Sequence, residues 1–222
     1  RSSDLGVLRS TSGVALRLAG SDNELFNDGL VEARTTAVIG GVGADLVVNA
    51  GRIRGGVSLG DGNDRLENAG TLRGAVNLGA GNDAFDGRGG VVAGSVAGGA
   101  GDDSYWVSSA DLALVEAASG GSDTVLVTVS WELGTQFERL VLLGSADLRG
   151  TGNALANRLT GNAGDNRLSG LAGDDTLFGG LGVDSLTGGA GSDRFVFGGR
   201  AASALSSPDT IIDFTPGEDQ ID

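Results

Sequence analysis

Five nonapeptides run in unbroken register from Gly152 to Val196: GNALANRLT, GNAGDNRLS, GLAGDDTLF, GGLGVDSLT and GGAGSDRFV. Their sixth positions read Asn157, Asn166, Asp175, Asp184 and Asp193, and their eighth positions read Leu159, Leu168, Leu177, Leu186 and Phe195. A column of apolar side chains recurring at a fixed period is a core that no single short strand can bury alone, so each unit must stack on the next. The expected fold is therefore all-β, a parallel β-roll or β-helix solenoid. If two nonapeptides complete one coil, Asp175 lies over Asp193, while Asp184 lies on the opposite edge beneath Asn166.

A second array with a longer period precedes this one. GGVGAD ends at Asp45, LGDGND at Asp64, LGAGND at Asp83, GGAGDD at Asp103 and ASGGSD at Asp123. The intervening text also repeats, as Asn49-x-Gly51-x-Ile53-x-Gly55 and Asn68-x-Gly70-x-Leu72-x-Gly74. Each unit thus carries an acidic turn, an Asn-x-Gly turn and two short strands, and all five aspartates fall on one edge. Alternation sends Ile53, Val57, Leu59 and Leu72 inward and leaves Arg52, Arg54 and Arg73 in solvent. Asn49 and Asn68, one coil apart, are expected to form a hydrogen-bonded ladder.

Composition narrows the chemistry. Of 222 residues 42 are glycine and only 2 proline, with no every-third glycine, which excludes collagen. Histidine and cysteine are absent, which removes serine-histidine triads, thiol nucleophiles, zincin motifs and thiolate metal sites. Fifteen basic residues, all arginine, face 29 acids, for a net charge of −14. That balance argues against nucleic acid or an anionic membrane as partner and favours cations. No apolar run approaches the roughly 20 residues of a membrane-spanning helix. The chain opens at Arg1 without a methionine or leader and reads as a piece of a longer protein.

The stacked aspartates pose a physical problem. Carboxylates on neighbouring coils are about 5 Å apart at strand spacing, where like charges cost energy unless one protonates or a cation intervenes. Glycine-rich turns also expose backbone carbonyls. Carboxylate and carbonyl oxygens in a flexible shell describe calcium; magnesium demands tighter geometry, and softer metals want nitrogen or sulfur.

At these residues the sequence resembles the repeats-in-toxin (RTX) proteins, whose hemolysin-type nonapeptide GGxGxDxUx is a calcium-binding β-helix signature. Gly40 to Val48, Gly179 to Thr187 and Gly188 to Val196 match it at every fixed position. The resemblance implies several calcium ions, each held by sixth-position aspartates and by carbonyls at positions one, three and five. One ion would be held by Gly170, Ala172 and Asp174 with Gly188, Ala190 and Asp193; another by Gly161, Ala163 and Asp165 with Gly179, Leu181 and Asp184. Asp45, Asp64, Asp83, Asp103 and Asp123 are the matching aspartates of the first array, Asp175 joins them in the second, and Asp213 is a further candidate. Asn157 and Asn166 replace the acid, so their turns bind weakly or only stack. Glu24 is the nearest equivalent before Asp45.

The organisation expected is a β-helix of 19–20-residue calcium coils over 1–104, a β-rich spacer over 105–151, the nonapeptide roll over 152–197 and a cap over 198–222 leading to a secretion signal. Trp106 and Trp131 are assigned to the spacer core, Glu116 to a strand, and Asp147 to a solvated loop. The resemblance further implies a secreted, extracellular or cell-surface protein that passes the type I secretion apparatus unfolded and folds outside on calcium, in a structural rather than catalytic role. The alternatives are an adhesin or surface-layer module binding glycans or self-associating, and a β-helical polysaccharide lyase or epimerase with an arginine base.

Overall fold

The computed structural model describes residues 6–11, 13–118, 120–198 and 208–222. Among them are 25 β-strands and no helix, and the named strand pairs are all parallel, as short glycine-punctuated apolar alternation requires. The chain divides into two compact units, Arg1–Ser122 and Asp123–Asp222. Each is a parallel β-solenoid.

In the first unit, Glu24–Asn27, Leu46–Asn49, Arg65–Asn68, Ala84–Asp86 and Ser104–Val107 stack side by side. Their register aligns Leu25, Val47, Leu66, Phe85 and Tyr105 in one inward column. The facing sheet runs through Leu30–Ile39, Arg52–Asp61, Val76–Ala80 and Ser95–Ala100, and brings Val31 to Ile53 to Leu72, and Val57 to Val76 to Val96. Ile53, Leu59 and Leu66 are fully buried, and at about 1.5–3 kcal/mol per large apolar side chain such columns supply the folding drive. The coil offsets are 19, 19 and 20 residues from Leu46 through Arg65 and Ala84 to Ser104.

The second unit keeps a shorter repeat. Thr124–Val127, Arg139–Leu142, Arg158–Thr160, Thr176–Phe178 and Arg194–Val196 align Val125, Leu140, Leu159, Leu177 and Phe195. Opposite them, Arg149–Thr151, Arg167–Ala172, Ser185–Ala190 and Thr210–Ile211 form the second sheet. Pairing of Arg167 with Ser185 and of Thr176 with Arg194 gives the expected 18-residue coil.

The unit boundary at Ser122/Asp123 differs from the division expected at 105–151. Strand Ser104–Val107 is a coil of the first unit, and Arg139–Leu142 and Arg149–Thr151 are coils of the second, because Asp103-x-Tyr105 and Glu138-x-Leu140 keep the polar-x-apolar pattern that stacking needs. Trp106 is a correction to the sequence reading: Tyr105 and Val107 take the core, so strand alternation turns Trp106 outward, half-buried. Trp131 is half-buried as well. Glu116 directly follows strand Ala113–Val115. Of the cap, residues 199–207 lie outside the described residues.

Candidate metal centre

The sixth-position side chains sit where each glycine-rich corner turns into a strand, and Asp45, Asp64, Asp83, Asp103, Asp123, Asp175, Asp184 and Asp193 are all buried. Burying a carboxylate is costly unless its oxygens find partners. One oxygen does, through the backbone of the adjacent coil. The Asp45 amide donates to Asp64 Oδ1, that of Asp64 to Asp83 Oδ1, and that of Asp83 to Asp103 Oδ1, each at 2.7 Å. In the second unit the Asn157 amide reaches Asp175 Oδ1 at 2.7 Å and the Asp175 amide reaches Asp193 Oδ1 at 3.0 Å. On the other edge the Asn166 amide reaches Asp184 Oδ1 at 2.7 Å. The carboxylates therefore do not stack face to face; a peptide N–H lies between successive ones and answers half of the repulsion.

The other half stays open. Oδ2 of Asp64, Asp83, Asp175, Asp184 and Asp193 is buried and has no hydrogen-bond partner among the described residues. A native fold leaves such atoms orphaned only where something else satisfies them. Burial pushes the carboxyls of Asp83 and Asp175 up to about 7, with neighbouring carboxylates Asp103 and Asp64, or Asp193 and Asp174, adding to the rise. Burial likewise lifts Asp103 and Asp184 to about 6, and raises Asp64 and Asp193.

Each orphaned oxygen of the nonapeptide roll points at the first glycine of its own turn. A methyl group on Gly170, Gly179 or Gly188 would collide with Oδ2 of Asp175, Asp184 or Asp193 respectively. The two half-shells expected around one ion are adjacent rungs: Leu171 pairs with Gly189 and Ala172 with Ala190, and a Cβ on Gly170 would also come within 2.6 Å of the Gly188 carbonyl. The Ala190 carbonyl accepts from the Gly173 amide at 2.9 Å, which leaves its second lone pair. On the other edge, the Leu181 amide bonds the Asn162 carbonyl at 3.0 Å, and the Leu181 side chain is exposed, so only its backbone is available there. Asp174 turns its side chain to the Ser192 amide at 2.8 Å. Buried anionic oxygen, nearby carbonyls and no room for a side chain fit a hard, oxygen-ligated cation such as calcium.

Two expected ligands have hydrogen-bond partners on both carboxylate oxygens. Asp45 has partners on both oxygens, Oδ1 from the Asn23 amide and Nδ2 at 2.8 and 2.7 Å and Oδ2 from the Gly41 amide at 3.3 Å. Asp213 caps a turn, accepting from the Gly188 and Gly189 amides at 2.9 Å each. Asn157 and Asn166 accept from the Asn153 and Asn162 amides of their own turns, at 2.6 and 2.7 Å, and leave no charged orphan.

The structure adds residues that sequence reading missed. Pairing of Glu24 with Leu46 makes Asn23, not Glu24, the neighbour of Asp45. Glu138 stands in the sixth-position column, accepting from the Asp123 amide at 2.8 Å. Asp209 and Asp219 continue the two columns into the cap, accepting from the Asp184 and Asp193 amides at 3.0 and 2.9 Å. In the first unit, Tyr105 Oη donates to Glu116, whose carboxylate comes within 4.8 Å of that of Asp103. The asparagine ladder is present and starts earlier than expected, with Asn27 Nδ2 donating to Asn49 Oδ1 and Asn49 Nδ2 to Asn68 Oδ1, both at 2.7 Å.

A second ladder runs through the fifth positions in the opposite sense. The later coil's amide donates back: Asn82 to Asn63 Oδ1 at 2.8 Å, Asp102 to Asn82 Oδ1 at 2.9 Å, Asp165 to Asp147 Oδ1 at 2.9 Å and Val183 to Asp165 Oδ1 at 2.8 Å. Adjacent corners are thus braced in both directions, and Asp147, an exposed loop acid as expected, also starts such a ladder.

Comparison with known proteins agrees with this geometry. Residues 151–186 and 177–199 match the family model of the RTX calcium-binding nonapeptide repeat (4 copies). No curated protein matches the chain. Residues 151–199 are therefore an array of RTX calcium-binding nonapeptide repeats.

Proposed function

We propose that the chain is a calcium-triggered folding module of a secreted protein, whose ions bind at the corners holding Asp64, Asp83, Asp175, Asp184 and Asp193. The observation that carries this reading is the set of buried, partnerless Oδ2 atoms at those five aspartates. In the roll, Gly170, Ala172, Asp174, Gly188, Ala190 and Asp193 would hold one ion through carboxylate and carbonyl oxygens, and Gly161, Ala163, Asp165, Gly179, Leu181 and Asp184 another. Asp103 belongs to the proposed row of Asp64 and Asp83, and Asp123 is a further proposed ligand of the second unit.

Calcium supplies the positive charge that lets these carboxyls stay ionised inside the corners. Extracellular calcium modules bind with constants of about 0.1–1 mM, so at about 2 mM external calcium each site adds on the order of 1 kcal/mol. Several such sites are comparable to the roughly 5–15 kcal/mol stability of a whole domain. Where free calcium is scarce, the unmatched acids and the entropy of a glycine-rich chain favour the open state. This suits export in unfolded form through a type I channel, followed by folding outside, in a structural rather than catalytic role.

Circular dichroism tests the reading: chelator should reduce the metal-free chain to coil, and added calcium should restore β signal cooperatively. β structure indifferent to calcium at neutral pH would refute it.

A further inference from the structure

The logic of stacked like charges applies a second time, with the sign reversed. Arg149 and Arg167 are directly paired rungs of neighbouring coils in the second unit. Both are exposed, and neither guanidinium has an ion-pair partner among the described residues. Parallel rungs lie about 4.8 Å apart, and like charges directly opposite each other weaken a sheet. On a chain with 29 acids and 15 arginines, carboxylates are the commonest available remedy, yet no Asp or Glu is among the cleft's lining residues, and the exposed Glu132 of the same face is paired with Thr151 rather than with either arginine.

The two arginines flank a cleft of about 480 Å³ on the outer face of the sheet, continued by Thr151, Ser169, Ser185 and Thr187. Strand alternation sets these hydroxyls in rows at the same rung spacing, since Thr151 pairs with Ser169 and Ser169 with Thr187. We propose that this cleft binds a carboxylated saccharide chain, one carboxylate bridging the Arg149 and Arg167 guanidinium groups while sugar hydroxyls bond the threonine and serine rows. Arginine's planar fork matches a carboxylate in two-pronged geometry. A saccharide fits better than nucleic acid or an anionic membrane, because a net charge of −14 repels a dense phosphate array and the rows offer hydroxyl partners rather than further cations. This site is separate from the acidic corners and goes beyond the proposed calcium role.

The test is calorimetric titration of the calcium-loaded chain, shown folded by circular dichroism, with a hexauronate dialysed against the same calcium buffer. The expected result is saturable binding that weakens about tenfold or more in Arg149→Gln and in Arg167→Gln, as loss of a charge-assisted hydrogen bond implies. Binding should also weaken when the hexamer is carboxyl-reduced to its neutral form, and stay unchanged in Arg139→Gln on the other sheet. Absence of saturable binding, binding by the two cleft variants as tight as by the unsubstituted chain, or equal loss in Arg139→Gln would overturn the proposal. So would arginine-dependent binding of single-stranded DNA or phosphatidylserine vesicles as tight as that of the hexauronate.

Discussion

The two units solve one stacking problem in different currencies. In the first, coils of 19–22 residues have one acidic edge and, across from it, the asparagine ladder Asn27–Asn49–Asn68, in which each amide donates to the next. A neutral amide ladder satisfies itself and needs no ion. In the second, the 18-residue coil leaves no room for an Asn-x-Gly turn, and both edges carry sixth-position acids, Asp175 and Asp193 on one and Asp184 on the other. On the proposed reading, shortening the coil by one or two residues exchanges a self-sufficient edge for one that depends on a cation.

The largest effect expected from that contrast is on metal removal. Hydrogen exchange followed by segment should show that chelator strips protection from 152–197 first, and from 24–107 at lower free calcium. Simultaneous loss in both would break the comparison. Next in size, Asp64→Ala removes a buried acceptor from the Asp45 amide and an anionic oxygen from its corner. A cost of about 1–3 kcal/mol is expected for the orphaned amide alone, beside a shift of the calcium midpoint to higher concentration.

Titration sharpens the picture further. In the metal-free fold the carboxyls of Asp83 and Asp175 are raised to about 7, mainly by burial. A raised folded-state value contributes stability that is full below the unfolded value near 4 and is lost as pH rises through about 7. The metal-stripped chain should therefore hold more β structure at pH 5 than at pH 8, whereas calcium, competing with those protons, should bind more weakly as pH falls below about 7. A metal-free chain equally structured at both pH values would remove burial as the cause.

Smaller effects follow. Gly188→Ala places a methyl against the Asp193 carboxylate, while Gly217→Ala meets nothing within 4 Å. The first should shift the calcium midpoint in a titration followed by tryptophan fluorescence or circular dichroism, and the second should leave it in place, its positive φ of 92° affecting stability alone. Smallest of all, Asp147→Ala loses one exposed ladder bond to the Asp165 amide, at about 0.5–1.5 kcal/mol by denaturant melt, with the calcium midpoint little changed.

Much of this was readable in the sequence because stacking converts sequence period directly into space. The 18-residue offset, the inward column from Leu159 to Phe195 and the Asn49–Asn68 pair all follow from spacing alone. What escaped did so where the period breaks. Offsets of 22 residues at Asn23, 15 at Glu138, and 25 and 26 at Asp209 and Asp219 hide those positions from a fixed-length reading. The two opposed ladders escaped for another reason: they join a side-chain oxygen to a backbone amide, and the amide has no signature in residue identity. For the same reason the sequence could place Asp45 in the row but could not show that Asn23 and Gly41 already satisfy it.

The central claim is that the five orphaned oxygens face bound calcium. Diffraction from crystals grown in millimolar calcium, with anomalous difference maps at long wavelength, measures this directly. The account predicts peaks beside Oδ2 of Asp175, Asp184 and Asp193, and beside Asp64 and Asp83 in the longer coils. An intact solenoid with no density at any of those oxygens would contradict it.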